Sequence, residues 1–254
     1  MSESMRVAPD GRGVLRLERR LAHPVRMVWA AVTEPGQLRH WFPCAVRWEP
    51  VVGSPIAFDF GGGPEVDGEV VAWEEPRLVA FTWGTDELRV ELTPDGEAAT
   101  LLVFEHVFAD RAGGASFAAG WTACLRGLAL LLAGEQIPPA GRMVAEHERF
   151  VRLFGLDEGT ADGRAVRFER QLTVPAAEAW AALPRTGPVT RQHEPVLLEC
   201  GPVRYELGPG TGHGARLTVT VEDVADLAAA LAEWRDRLND LGATLAAREP
   251  APAG

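Results

Sequence analysis

The sequence predicts an α+β chain in which an antiparallel meander closes on one long helix and then begins again in shortened form. Three observations carry this prediction. An opening strand-and-helix segment recurs later in the chain, the stretch between the copies is a run of period-two strands, and both copies end on a helix with 3-4 apolar spacing.

The recurrence fixes the organisation. VLRLERRLAHPVRMVWAAV (14–32) aligns without a gap with AVRFERQLTVPAAEAWAAL (165–183) and shares 8 of 19 positions, including Arg16/Arg167, Glu18/Glu169, Arg19/Arg170, Leu21/Leu172, Pro24/Pro175 and Trp29/Trp180. Unrelated segments would share about one or two. Trp121-x3-Leu125-x2-Leu128-x3-Leu132 likewise matches Trp234-x3-Leu238-x2-Leu241-x3-Leu245. Upstream, LRVEL (88–92) pairs with VRYEL (203–207), and TLLVFEH (100–106) with ARLTVTV (215–221). The offset falls from 151 at the first strand to 115 at the last ones, so the second copy lacks 36 residues, roughly between Thr33 and Glu74. The expected division is a complete unit at 12–136, a connector with its own helix at 137–163, and a truncated copy at 164–247.

In order, the first copy reads as a strand at 14–22, a short helix at 24–33 and a second helical stretch at 35–41. Pro24 suits the start of the first helix because its φ is preset and its missing N–H has no helical partner to lose. Strands follow at 45–50, 55–60, 66–74, 77–83, 87–93 and 100–108, punctuated by Gly61-Gly62-Gly63-Pro64 and Pro94-Asp95-Gly96. A long helix at about 115–134 closes the unit. In the connector, Met143, Val144, His147, Phe150, Val151 and Phe154 fall on one helical face. The second copy ends on a helix at 223–247 with one apolar and one wet face, whereas 115–134 is apolar nearly all round and needs cover on more than one side.

Composition limits the chemistry. The chain has 254 residues, 46% of them hydrophobic, 24% charged, and a formal net charge of −11 with arginine in place of every lysine. That balance suits a folded protein and repels phosphate backbones and anionic lipid, so neither a nucleic-acid nor a membrane partner is expected. Cys44, Cys124 and Cys200 are scattered and odd in number, which argues for a reducing, cytoplasmic setting and against a disulfide framework or zinc site. No apolar signal core opens the sequence. The apolar stretch 117–133 carries Arg126 near its middle and reads as a buried helix. Four serines without G-x-S-x-G disfavour a serine hydrolase, and six histidines without metal spacing disfavour a metal site. Gly61 to Gly63 lacks the Lys and Ser/Thr of a phosphate loop and reads as a hairpin turn. No cofactor is expected.

Several motifs in order resemble the Hsp90 ATPase activator homologues of the START-like, or SRPBCC, superfamily. They are Pro24-x4-Trp29, Leu38-x2-Trp41-Phe42, Gly53 before Phe58 and Phe60, Gly68-x-Val70 with Glu75-Pro76-x-Leu78, Phe81-Thr82-Trp83, Thr100-x-Leu102-x-Phe104-x-His106, and Gly120-Trp121-x3-Leu125. The resemblance covers nearly all of 12–135, and reaches the second copy mainly through the repeat. It implies a helix-grip fold, a curved antiparallel sheet wrapped around a long C-terminal helix with a cavity between them. Members typically bind small hydrophobic molecules, some branches are cyclases or aromatase-like enzymes, and others contact a chaperone.

Strand alternation puts Ile56, Phe58 and Phe60 on one face, Phe81 and Trp83 on one face, and Leu102, Phe104 and His106 on another. If those faces are concave, the cavity is lined by Trp41, Phe42, Phe58, Phe60, Phe81, Trp83, Phe104, His106, Trp121 and Leu125. His106 ends an apolar face and needs a partner, either a ligand hydroxyl or carbonyl or a group of the protein's own backbone or loops. Arg126 either meets solvent or reaches an acidic ligand group. The leading expectation is a binding protein for a small hydrophobic or amphipathic molecule. The alternatives are a cyclase- or isomerase-like enzyme with His106 or Asp59 as acid or base, and a chaperone-interacting protein.

Overall fold

The computed structural model describes residues 2–62, 66–139, 141, 143–212 and 214–247. The chain forms two compact units, Met1–Arg111 with Gly120–Ala140, and Ala112–Ala119 with Gly141–Gly254.

The first unit opens with the hairpin β1 (Glu3–Val7) and β2 (Gly13–Leu21), then α1 (Val25–Thr33) and α2 (Pro35–Trp41). The meander follows as β3 (Ala45–Arg47), β4 (Pro55–Asp59), β5 (Val66–Glu74), β6 (Leu78–Trp83), β7 (Asp86–Pro94) and β8 (Thr100–Phe108). These strands form one antiparallel sheet in the order β1-β2-β8-β7-β6-β5-β4-β3. β2 therefore closes against the last strand, pairing Gly13 with Phe108 through Leu21 with Thr100. The tight β6–β7 connection needs Gly84, whose φ of 58° suits a two-residue hairpin turn. Strand alternation is clean in β8, where Thr100, Leu102, Phe104, His106 and Phe108 are buried and the intervening residues half-buried. β1 lies before the expected boundary at residue 12. Of the turn at 61–64, Gly63 and Pro64 lie outside the described residues.

The long helix α3 (Gly114–Leu132) follows a single 3-10 turn at Arg111–Gly113. By length and composition it could cross a membrane. Its Trp121, Leu125, Leu128 and Leu132 row is nevertheless buried, and Leu130 and Leu131 are half-buried. Gly127 admits a close neighbour, since a Cβ there would lie 3.4 Å from the Cβ of Trp41.

The second unit holds α4 (Val144–Leu153), β9 (Thr160–Asp162), β10 (Ala165–Gln171), α5 (Ala176–Trp180), β11 (Val189–His193), β12 (Leu197–Cys200), β13 (Val203–Pro209), β14 (Ala215–Val221) and α6 (Leu227–Ala247). Its six-stranded antiparallel sheet has the order β11-β12-β13-β14-β10-β9. α6 starts at Leu227 rather than 223 because Asp226 caps it, its Oδ1 accepting a 3.0 Å bond from the Ala229 N–H. The core joins Phe168, Trp180, Leu198, Tyr205 and Leu217 to Trp234, Leu238, Leu241 and Leu245.

A charged network crosses this core. Arg170 is 2% exposed and donates to Glu148 at 2.5 Å and to Asn239 at 2.9 Å, while Arg235 and Asn239 donate to the Asp157 carboxylate. Burial pushes the Glu148 carboxyl up against the opposing pull of Arg170. Asp157 ends below its ordinary value, because the bonds from Arg235 and Asn239 outweigh its desolvation. Next to Glu148, His147 is held down to about 4 by burial and then by the charge of Arg170. Its ring is bonded by Ser116 at 3.2 Å and lies 3.3 Å from the carbonyl oxygen of Gln171.

Candidate functional site

The first unit gathers aromatic residues that its sequence distributes over five segments, α2 with its cap, β4, β6, β8 and α3. Phe42, the residue capping α2, meets Phe81, Trp83 and Trp121 at ring-centroid distances of 6.4, 5.5 and 5.5 Å. Phe58 stacks on Trp83 at 5.1 Å and 14°, and Phe104 lies 4.5 Å from Trp121. Trp41 joins through Phe42 at 5.7 Å, its indole N–H donating to the Ala31 carbonyl at 2.9 Å. Period two explains the convergence, because Phe58, Phe81 and Phe104 project from the same side of their strands and α3 supplies Trp121 opposite.

Phe60 lies beyond the end of β4, is 44% exposed and touches Trp83 at 5.7 Å, so it stands at the edge of the cluster. Leu125 is buried one turn below Trp121. Arg126 is exposed, as an ordinary solvent-facing helix residue would be. Asp59 is also exposed, accepting a bond from the Gly61 N–H at 2.9 Å. Cys44 and Cys124 are reduced, and burial pushes their thiols up to about 12 and about 11. Thiols so shifted are weak nucleophiles at neutral pH.

His106 is the polar group of this face, 4% exposed. The indole N–H of Trp121 donates to its Nδ1 at 3.2 Å, and its Nε2 lies 3.0 Å from Asp86 Oδ2. Trp121 is a donor only, so Nδ1 accepts; the neutral ring then carries its hydrogen on Nε2 and donates it to the carboxylate. Asp86 was not singled out from the sequence, yet the register makes it legible. β7 pairs Leu88 with His106, so Asp86, two residues earlier on the same face, is the diagonal neighbour. Two side chains of the unit, Trp121 and Asp86, thus partner the histidine. Among the described residues no group of three His, Cys, Asp or Glu side chains comes together in a metal-binding arrangement.

An eight-stranded antiparallel sheet whose inner aromatic face receives one long helix is the helix-grip arrangement of START-like proteins. Residues 22–133 match the family described as activator of Hsp90 ATPase homolog 1-like protein. Among solved structures, the chain is similar to EF2215 from Enterococcus faecalis, a conserved protein of unknown function, with a TM-score of 0.54 and 20% identity over 60% of this chain and 90% of that one. CalU16 from Micromonospora echinospora matches with a TM-score of 0.49 and 22% identity over 61% and 94% of the two chains. DynU16, a protein of the dynemicin biosynthetic locus, matches with a TM-score of 0.47 and 20% identity over 92% and 97%. The likeness to EF2215 shows the fold. No curated protein matches the chain.

Proposed function

We propose that the first unit is a binding module for a small hydrophobic or amphipathic molecule held between the sheet and α3. The supporting observation is the convergence of Phe42, Phe58, Phe81, Trp83, Phe104 and Trp121 on one face, with Phe60 exposed at its edge. Aromatic walls with few polar groups select apolar ligands and orient them through those groups. Here the Asp86 carboxylate beside His106 keeps accepting capacity, suited to a ligand hydroxyl at one end.

The same pair favours a second reading, a cyclase- or isomerase-like reaction in which imidazole and carboxylate shuttle a proton. Binding is the better reading because both ring nitrogens are engaged by Trp121 and Asp86, so proton transfer first requires one of those bonds to break. Nothing beyond the family match over residues 22–133 supports a chaperone contact.

We read the second unit as a shortened copy of the first. Its order β11-β12-β13-β14-β10-β9 parallels β5-β6-β7-β8-β2-β1, with counterparts of β3, β4 and α2 missing. Glu194-Pro195-x-Leu197 before β12 repeats Glu75-Pro76-x-Leu78 before β6. On this reading the second unit lacks the wall that Phe58 provides, and ligand binding belongs to the first.

Titration with N-phenyl-1-naphthylamine, a neutral apolar fluorophore, tests the proposal. Saturable, blue-shifted emission that Trp83→Ala weakens at least tenfold is expected. Emission that never saturates, or that is indifferent to Trp83→Ala in a folded variant, overturns it.

A further inference from the structure

A concave site lies in the first unit, away from the cluster's Phe104–Trp121 centre. It is a groove of about 500 Å³ lined by Arg26 and Trp29 of α1 and Glu34 at its end, Trp48 and Pro50 after β3, and Trp73 and Glu75 around the end of β5. The three indoles brace one another edge to face: Trp29 and Trp48 each stand 5.4 Å from Trp73, at 79° and 84°. Trp48 is fixed further by donating its N–H to the Thr33 carbonyl at 2.8 Å.

Trp73 reaches this place through a backbone irregularity. The β5–β6 register pairs Val70 with Phe81 but Ala72 with Ala80, so one residue is inserted between them. Without that bulge, strict alternation would place Trp73 on the face opposite Val70. With it, Trp73 pairs with buried Val79 and shares the inner face.

The charges at the groove are unequal. Glu34 joins the end of α1 to the start of α2, makes no side-chain capping bond, and among the described residues has no ion-pair partner. Among the described residues Glu75 pairs with Arg26 at 3.7 Å, with both side chains well exposed, a weak and easily exchanged pair. Indole faces and an unpaired carboxylate together attract a cation that carries apolar surface, since the ring quadrupole and the carboxylate act on the charge and the rings on the methyl groups. The protein's net charge of −11 adds a long-range bias of the same sign.

The geometry points to an organic-cation site here, taking a quaternary ammonium or similarly alkylated ammonium group in the groove against Trp29, Trp48 and Trp73 with Glu34 as counter-ion. Trp48 also meets Phe81 edge to face at 5.2 Å, so the groove adjoins the aromatic cluster while sharing none of the residues assigned to the apolar ligand.

The test compares choline with its neutral carbon isostere, 3,3-dimethyl-1-butanol, by following tryptophan indole N–H resonances on the full chain. Choline is expected to shift the Trp29, Trp48 and Trp73 signals saturably, about tenfold more tightly than the isostere. Glu34→Gln is expected to remove most of that difference while leaving the spectrum of a folded protein, and Trp73→Phe to weaken choline in its own right. Equal affinity for the isostere, shifts confined to Trp83 and Trp121, or choline binding unchanged in Glu34→Gln overturns the assignment.

Discussion

Arg19 and Arg170 occupy aligned positions in the two units and lead different lives. Arg19 remains 17% exposed, donating to Glu3 and Thr122, whereas Arg170 is 2% exposed and held by Glu148 and Asn239. Trp29 and Trp180 diverge likewise. The first lines a groove with Trp48 and Trp73, while the second sits in a core that has no counterpart of either. Matching sequence thus preserves the place of a residue in the strand order, and the neighbours decide what it does.

The difference can be broken most severely at the closing helices. Trp121 touches Phe42, Trp83, Phe104 and His106 and gives His106 a hydrogen bond, while Trp234 meets the Tyr205 ring at 6.1 Å and the Arg237 guanidinium at 5.0 Å. Trp121→Ala should cost about 5 kcal/mol and Trp234→Ala about 3, measured by chemical denaturation, because the first also strands a buried nitrogen. Equal costs would mean that the aromatic cluster adds nothing beyond burial.

Next comes the buried arginine. Arg170→Met should destabilise by about 3–5 kcal/mol by leaving Glu148 buried without its partner, and adding Glu148→Leu should recover most of the loss. Arg19→Met, at the aligned position, should cost about 1 kcal/mol. If both single variants lose the same amount, the contrast in burial has no energetic meaning.

The third effect is a pH dependence in the second unit. His147, at about 4 when folded against an ordinary 6.5, binds its proton more readily unfolded, so its contribution is intact above pH 6.5 and lost as pH falls toward 4. The loss reaches about 3 kcal/mol at pH 4. Glu148 works in the opposite direction, its raised carboxyl taking up a proton early in the folded state, so the test is a difference. Denaturation from pH 7 to 4 should show a shallower fall for His147→Gln than for the parent; parallel curves would contradict the assignment.

The smallest effects sharpen the comparison between helices. Gly120 in α3 has open space where a Cβ would go, so Gly120→Ala should stabilise by about 0.5–1 kcal/mol. A Cβ at Gly242 in α6 would lie 2.7 Å from Glu148 Oε2 and 2.9 Å from Arg170 Nη2. Gly242→Ala should therefore destabilise despite its better helix propensity, and thermal melts of the two variants should move in opposite directions.

Much of the first unit was legible because its strands obey period two and its turns carry Gly and Pro. The readings at 66–74 and 100–108 match β5 and β8 end to end. β1, β9, β11 and β12 escaped notice because short strands with exposed or half-exposed faces leave little hydrophobic rhythm, as Thr160–Asp162 and Val189–His193 illustrate. Alternation also put Phe58, Phe81, Phe104 and His106 each on the apolar face of its strand. It could not bring in Asp86 without the register, nor Trp73, since a bulge inverts the face that alternation assigns. Glu148 and Arg170 meet across elements far apart in sequence, and no local pattern announces such a pair.

Hydrogen exchange with mass spectrometric readout, on the full chain saturated with N-phenyl-1-naphthylamine, tests the proposed ligand site most directly. Slower exchange in β6, β8 and residues 121–132 of α3, with β12 to β14 unchanged, is the result expected of a module whose site belongs to the first unit. Protection centred on 197–221 and α6, or none in either sheet, would contradict it.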